Sequence, residues 1–159
     1  MKITIAAVGK LKAGAEAELV RRYIERASDQ GRTLGISIAE REIAEGKEAR
    51  AADRAAREAG LLLATVPDTA SVVVLDERGK TQTSPDFARW LKGQREAKTA
   101  DLVFVIGGPD GLDESIRKRA ALLLSFGAMT IPHQLVRALL AEQIYRALTI
   151  VAGHPYHRA

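Results

Sequence analysis

The sequence predicts an α/β fold built on a mainly parallel sheet. Short apolar segments of strand length alternate along the chain with longer segments whose apolar residues recur at helical spacing. Residues 71–75 and 102–106 are continuous apolar runs, which is typical of parallel strands that are covered on both faces. From periodicity alone, the expected architecture is a doubly wound sheet with helices on both faces.

The first half of the chain is predicted to contain two strands and two helices. Residues 2–8 form the opening strand, and residues 15–28 follow as an amphipathic helix that ends at Gly31. Residues 34–38 alternate between apolar and smaller or polar side chains, which indicates a half-buried strand. An alanine-rich segment over residues 46–64 indicates the second helix. Its charged residues are interpreted as a solvated face, namely Glu48, Arg50, Asp53, Arg54, Arg57 and Glu58.

The middle of the chain continues the alternation. After the strand at residues 71–75, Ser84 is expected to cap a helix and Pro85 to occupy its first helical position. The strand at residues 102–106 then ends at a glycine-rich turn over residues 107–111. These boundaries place two strand ends next to polar or glycine-rich segments.

The last part of the chain contains the strongest helical pattern. A short helix is expected near residues 113–120, and a strand within the apolar stretch of residues 121–132. The final helix runs from His133 to about Val151. Its apolar face is wide enough to cover both the sheet and a second subunit, so it predicts a homodimer.

The composition restricts the class of protein. A chain of 159 residues suits one domain, residues 1–159, and 47% hydrophobic with 28% charged residues excludes collagen-like and disordered classes. With no cysteine, thiolate metal sites and disulfides are excluded and a reducing compartment is suitable. We expect a cytoplasmic protein without a membrane segment, because no apolar run approaches about 18 residues and no signal peptide pattern opens the chain. The net charge of +4 comes from interspersed charges, so it permits a phosphate-rich partner without requiring one.

Three strand ends are candidates for a binding site. They are Leu75 with Asp76, the turn at residues 107–111, and the segment 126–131 before the last helix. Ligands of parallel α/β sheets collect at the carboxyl ends of strands, and glycines allow the backbone to approach a ligand closely. A tight turn without a ligand explains the glycines equally well. The glycine patterns of dinucleotide and ATP sites, the nucleophile elbow and the paired histidines of zinc proteases do not occur.

The C-terminus concentrates chemically active side chains. His154 and His157 lie within the last six residues, together with Tyr156 and Arg158. Tyr156 could stack on a base, Arg158 could bind phosphate and His157 could titrate near neutral pH. A polar surface tail is the alternative, and a zinc site lacks a third obvious ligand.

The start of the last helix is a second polar cluster. Pro132 precedes the helix, and His133 and Arg137 lie one turn apart near its free N–H groups. An ordinary helix start explains this pattern equally well. Further along, Glu142 and Arg146 are spaced either for a site or for an ion pair within the helix.

Taken together, four motifs resemble the RlmH family of ribosomal large-subunit methyltransferases. They are Ile106-Gly-Gly-Pro-Asp-Gly111, Pro132-His-Gln-Leu-Val-Arg137, Glu142-Gln-Ile-Tyr-Arg146 and Tyr156-His-Arg158. Their order and spacing match the family, and the likeness runs from Val8-Gly9 to the C-terminus.

The resemblance implies a fold and an activity that periodicity does not reveal. The fold is SPOUT-type, with a parallel-rich sheet and a C-terminal trefoil knot that binds S-adenosyl-L-methionine. The activity is methylation of N3 of a pseudouridine in 23S rRNA on the assembled 70S ribosome, by a homodimer without a metal.

The resemblance also implies cofactor positions, whereas the catalytic and substrate-binding candidates are chosen from the chemistry of the two polar clusters. The family's cofactor positions fall on Leu75, Gly107, Phe126, Gly127, Ala128, Met129, Thr130 and Ile131. The catalytic candidates are Tyr156, His157 and His154, with Asp110 in reserve as a base. The substrate-binding candidates are Arg158, His133 and Arg137.

Two other functions stay open at this point. One is a non-catalytic RNA-binding or ribosome-assembly protein of the same fold, which would not require a methyl donor. The other is a small nucleotide-using α/β enzyme unrelated to RNA, which would turn over without ribosomes.

Overall fold

A computed structural model describes residues 1–157 of the chain. Five strands and five helices alternate in these residues. Their bounds are β1 Lys2–Val8, α1 Ala15–Thr33, β2 Ser37–Ile43, α2 Ala51–Thr65, β3 Ser71–Thr81, α3 Ser84–Glu96, β4 Asp101–Ile106, α4 Glu114–Lys118, β5 Leu122–Ser125 and α5 His133–Val151.

The five strands form one parallel sheet in the order β2-β1-β4-β3-β5. This confirms the α/β class and the parallel pairing expected from the sequence. At the β5 edge, the pairing register shifts between Leu75 and Lys80 of β3, and both of these residues pair with Leu124. Strand β3 therefore continues six residues beyond the apolar run that predicts it.

Helices cover both faces of the sheet. Alternate strand residues such as Ile5 and Phe104 pack with the apolar sides of α1, α3 and α5. Their neighbours in sequence, such as Ala6 and Val105, pack on the opposite face with α2 and α4. The period-two alternation of strand side chains thus produces two separate apolar cores.

Several element boundaries differ from the prediction. Gly31 lies inside α1 and does not end it. The chain after the helix returns close to this glycine: the N–H of Ile36 donates to its carbonyl, and a Cβ at this position would lie 2.6 Å from the Ile36 oxygen. The glycine with positive φ that follows the helix is Gly35. Helix α2 begins at Ala51 rather than at residue 46.

Two side-chain assignments are also wrong. Thr83, not Ser84, caps α3, since its Oγ1 accepts a hydrogen bond from the Asp86 N–H. Glu58 does not belong to a solvated face, because only 2% of it is exposed. Its Oε1 accepts a hydrogen bond from the Gly46 N–H, a partner that helical spacing cannot predict.

Candidate functional site

A cavity lies at the carboxyl ends of β4 and β5, beside residues 75–78 of β3. Parallel strands bring their carboxyl ends to one edge of the sheet, so residues distant in sequence meet there. The cavity has a volume of about 550 Å³, within the range of small-molecule sites. Its walls come from residues 75–78, the turn 106–112, the segment 124–133 except Ala128, and the side chains of Arg117 and Val136.

Seven of the eight cofactor positions implied by the resemblance line this cavity. They are Leu75, Gly107, Phe126, Gly127, Met129, Thr130 and Ile131. The eighth, Ala128, is exposed and lies between two of them in sequence. The three segments proposed from the sequence therefore meet at one place, although Leu75 lies inside β3 and not at its end.

The segment after β5 has a shape that depends on glycine. Gly127 has a φ of +130°, which side chains with a Cβ rarely adopt. The Ser125 hydroxyl accepts a hydrogen bond from the Gly127 N–H at 3.1 Å and donates one to its carbonyl at 3.0 Å. These bonds hold the start of the segment, while Met129 is 82% exposed at its tip.

An ion pair that the sequence did not indicate lies on the cavity wall. Arg117 Nε donates to Asp76 Oδ2 at 2.6 Å, and the Arg78 N–H donates to Asp76 Oδ1 at 2.9 Å. Burial alone would raise the pKa of the Asp76 carboxyl, but the hydrogen bonds and positive charge of Arg117 and Arg78 outweigh it and lower that pKa. Asp76 is therefore a carboxylate, and each of its two oxygens already accepts a hydrogen bond within the protein.

Asp110 also lines the cavity and is held by an arginine. Hydrogen bonds from Arg54 lower the pKa of the Asp110 carboxyl, although partial desolvation opposes this effect. A carboxylate with a lowered pKa is a weaker base. The geometry thus favours an anchoring role over the reserve role as a base.

Helix α5 begins at the cavity. Pro132, His133 and Val136 line it, and the N-terminal turn has no side-chain cap. The first backbone N–H groups of a helix have no partners within the helix, so this end offers hydrogen-bond donors near the cavity. His133 therefore lies on the wall of the cavity, beside these donors.

Arg137 has a different environment from His133. Its side chain is 1% exposed and points to the ends of β1 and β2 rather than into the cavity. Nη1 donates to Glu42 Oε1 at 2.8 Å, and Nη2 donates to the Val8 carbonyl at 2.6 Å and to the Gly9 carbonyl. These contacts are those of a residue that holds α5 against the sheet.

The described part of the C-terminal tail packs on α5, away from the cavity of its own chain. The Tyr156 hydroxyl donates to Glu142 Oε1 at 3.1 Å, and its ring centroid lies 4.6 Å from that of Tyr145. Arg146 forms an ion pair with Glu142 at 2.5 Å and lies over the Tyr156 ring, 4.9 Å from the centroid. The structure therefore brings Tyr156 together with Glu142 and Arg146 but not with the cofactor positions.

The two tail histidines are engaged as well. His154 Nδ1 accepts a hydrogen bond from the Tyr156 N–H at 3.2 Å, and His157 Nδ1 lies 3.5 Å from Arg146 Nη1. Arg158 lies outside the described residues.

The Tyr156 hydroxyl has a raised pKa. Burial, the neighbouring Tyr23 hydroxyl and the charge of Glu142 raise it, so this group is neutral at physiological pH.

Other kinds of site receive no support within residues 1–157. No group of three or more acidic or histidine side chains is placed to hold a metal ion there. In the same residues, no helix has the length and apolar character needed to cross a bilayer.

The fold and the cavity define an α/β protein with a small-molecule site at the carboxyl edge of a parallel sheet. Residues 1–157 match the family described as "Predicted SPOUT methyltransferase". The chain belongs to this methyltransferase family, and its full-length relatives confirm the RlmH resemblance carried by the motifs.

Those relatives carry the name Ribosomal RNA large subunit methyltransferase H. The chain is 51% identical over 160 residues to the protein of Xanthobacter autotrophicus, with 100% of both chains covered. It is 52% identical to the protein of Rhodopseudomonas palustris strain HaA2, also with 100% of both covered. It is 52% identical to the protein of Methylobacterium radiotolerans, with 99% of this chain and 98% of the relative covered.

Proposed function

We propose that this protein is a homodimeric, S-adenosyl-L-methionine-dependent methyltransferase that modifies N3 of a pseudouridine in 23S rRNA of the assembled 70S ribosome. The main support is the cavity, because seven of the cofactor positions implied by the family line it. The full-length relatives named as large-subunit rRNA methyltransferases support the choice of RNA.

The cavity suits the methyl donor in size and chemistry. An uncharged adenosine can be held by backbone N–H and C=O groups beside apolar side chains, and Leu75, Phe126 and Ile131 provide such side chains. A Cβ at Gly107 would lie 2.7 Å from Leu112 and 3.0 Å from the Gly111 carbonyl, so only glycine keeps this wall in place. When bound, S-adenosyl-L-methionine supplies a methyl group from a sulfonium centre.

The tail is proposed to serve the cavity of the second subunit. Glu142, which binds Tyr156, lies about 14 Å along the axis of α5 from the cavity end at His133, given a rise of about 1.5 Å per residue. The tail of one chain thus lies well away from its own cavity. In a homodimer, the tail of one subunit could approach the cavity of the other, so that both subunits build each site.

The dimer is proposed to form through α5. Leu135 and Leu139 are one turn apart on this helix and are 40% and 42% exposed. Leu139 also lines a hollow of about 290 Å³, together with Phe87 and Phe126. Covering this surface would bury apolar area next to the cavity.

We also propose that the chain forms the trefoil knot of the family. The segments that would cross in this knot are residues 75–82, 107–112 and 126–132.

Transfer to N3 requires a group that receives the N3 proton. We assign this role to His157, because a neutral imidazole nitrogen can accept a proton. Its Nδ1 lies 3.5 Å from Arg146 Nη1 in the described arrangement. Tyr156, being neutral, is assigned to stack on and donate to the nucleoside, and His154 supports the turn that carries it.

The remaining candidates bind or position the RNA. His133 at the cavity and Arg158 in the tail are assigned to substrate binding. Arg137 is assigned to positioning the start of α5, since its hydrogen bond to Glu42 holds this part of the helix against the sheet. Charges are interspersed along the chain, so we expect weak binding of isolated rRNA fragments and specificity from the shape of the ribosome.

Mass spectrometry of 23S rRNA tests the activity. RNA from cells that lack the protein should lose one methyl group at one pseudouridine, and the purified protein should restore it on ribosomes but poorly on naked rRNA. His157→Ala should reduce turnover by about 10²- to 10⁴-fold with cofactor binding retained. Full restoration by that variant would remove His157 from the mechanism. Absence of S-adenosyl-L-methionine binding in calorimetry would instead favour a non-catalytic assembly protein.

A further inference from the structure

The glycine-rich turn at the cavity is held from behind by a side chain of α2. Arg54 donates from Nε to Asp110 Oδ2 at 2.7 Å and from Nη2 to Oδ1 at 3.0 Å. This two-bond geometry is the strongest that an arginine and a carboxylate form. Arg54 itself lies outside the cavity lining, whereas Asp110 and its neighbours form part of the wall.

Arg54 is fixed on its other side by the backbone. Its Nη1 donates to the Glu48 carbonyl at 2.7 Å and to the Ala49 carbonyl at 3.2 Å. The side chain is 26% exposed and that of Asp110 is 27% exposed, so both are shielded from most of the solvent. The guanidinium therefore connects the turn to the first turn of α2, which carries Arg54, and to the segment that leads into this helix.

The same turn lies close against a buried acid. Glu58 Oε2 has no hydrogen-bond partner, and a Cβ at Gly108 would lie 3.2 Å from it and 3.0 Å from Val8 Cγ1. The turn thus has little space to move toward α2. With Arg54 holding Asp110 as well, its backbone is restrained on two sides before any ligand binds.

We infer that Arg54 is a positioning residue that preorganises the turn 107–111 for the methyl donor. The inference rests on the proposed function, because it assigns the donor to this cavity. A wall that is already ordered does not lose conformational freedom on binding, and this favours affinity. Arg54 never touches the donor and acts only through Asp110.

Calorimetry with S-adenosyl-L-methionine and the full-length chain tests the inference. Arg54→Ala and Asp110→Asn should each weaken binding about 3- to 10-fold, the cost of ordering roughly one more side chain or loop contact. Because both changes remove the same contact, the double variant should bind no more weakly than either single variant. Arg54→Lys should fall between, since an ammonium cannot form the two-bond pair.

Arg57→Ala is the matched control on the same helix. Arg57 pairs with the Glu48 side chain at 2.9 Å and does not reach the turn, so its removal should leave donor affinity unchanged. Two further readouts separate positioning from general destabilisation. First, Arg54→Ala should raise the KM for the donor by a larger factor than it lowers kcat. Second, it should speed amide hydrogen exchange in residues 107–111, while exchange in β1 stays slow.

The outcomes are distinguishable. If the wild-type chain binds the donor and Arg54→Ala binds it equally well, or if the two single effects add, the inference is wrong and the proposed function stands. If the wild-type chain does not bind the donor at all, both are wrong. If Arg54→Ala does not fold, the exchange and binding measurements on Arg54→Lys and Asp110→Asn decide, and wild-type behaviour of both variants overturns the inference.

Discussion

Arg137 donates a hydrogen bond to Glu42 across 95 residues of sequence, with 2.8 Å between Nη1 and Oε1. The arginine lies in the second turn of α5 and the glutamate in the last part of β2. The same Oε1 accepts from the Leu11 N–H at 2.8 Å, so one carboxylate joins the loop after β1 to the helix that opens at the cavity. The position of the cavity wall therefore depends on an ion pair between a buried arginine and a partly buried glutamate.

Replacing Arg137 should destabilise the whole fold. Arg137→Ala removes the positive partner of the partly buried Glu42 and the side-chain donor of the Val8 carbonyl, which should cost about 3–5 kcal/mol of unfolding free energy. Urea unfolding measures this loss. Arg21→Ala is the control, because its pair with Glu25 is largely exposed and should contribute below about 1 kcal/mol. Equal losses in both variants would contradict the assignment of Arg137 as a positioning residue.

Tyr156 should ionise later than an ordinary tyrosine. Its pKa is raised in the folded state, so the contacts of its neutral hydroxyl stabilise the fold below the ordinary value of 10.0, and this contribution is lost as pH rises through the folded value. Ultraviolet absorbance of tyrosinate reports the titration of the three tyrosines in the chain. One of them should titrate late, and Tyr156→Phe should remove that late step. A late step that persists in Tyr156→Phe would assign it to another tyrosine.

Asp76 should contribute stability in the opposite pH direction. The folded pKa of its carboxyl is lowered, so the contribution is present above the unfolded value of 3.8 and is lost as pH falls through the folded value. Unfolding free energies of Asp76→Asn and wild type should therefore differ most at neutral pH and converge in acid. Asp29→Asn, at an exposed pair with Arg32, is the control. A constant difference across this pH range would contradict the role of the carboxylate charge.

The parts of the site that could be predicted are those with a local signal. The bounds of α5, His133–Val151, agree with the prediction because one apolar stripe runs through the whole helix and Pro132 precedes it. Leu75 and Gly107 could be proposed because strand ends in a parallel sheet meet at one edge. The segment 126–131 could be proposed on the same ground, and the resemblance then assigned the individual cofactor positions within these three segments.

The parts that could not be predicted depend on partners far apart in sequence. Arg54 pairs with Asp110 across 56 residues, and Arg117 pairs with Asp76 across 41. From helical spacing alone, Arg54 is interpreted as one charge of a solvated face, because the neighbouring sequence does not indicate a carboxylate that is distant along the chain. The one available signal was a polar residue directly after a buried apolar run. It indicated Asp76 but not its partner Arg117.

Two glycines within helices should respond oppositely to alanine. A Cβ at Gly60 meets nothing within 4 Å, so Gly60→Ala should stabilise the protein by about 0.5–1 kcal/mol through helix propensity and a less flexible unfolded chain. A Cβ at Gly31 would lie 2.6 Å from the Ile36 carbonyl oxygen, so Gly31→Ala should destabilise it. Thermal unfolding compares the two. A gain in both variants would mean that the turn after α1 adjusts readily.

A charge on the exposed face of α5 should separate the proposed dimer. Leu139→Glu would bury an unpaired carboxylate in that interface, and a cost of about 3 kcal/mol or more raises the dissociation constant by at least about 100-fold. Sedimentation at a concentration where the wild type is dimeric should give the monomer mass. Leu61→Glu is the control, because Leu61 is 39% exposed on α2, on the other side of the sheet, and that variant should remain dimeric. If wild-type sedimentation gives the monomer mass at every concentration, no dimer exists. If Leu139→Glu remains dimeric, the subunits meet through another face, and the tail must reach the partner's cavity from there.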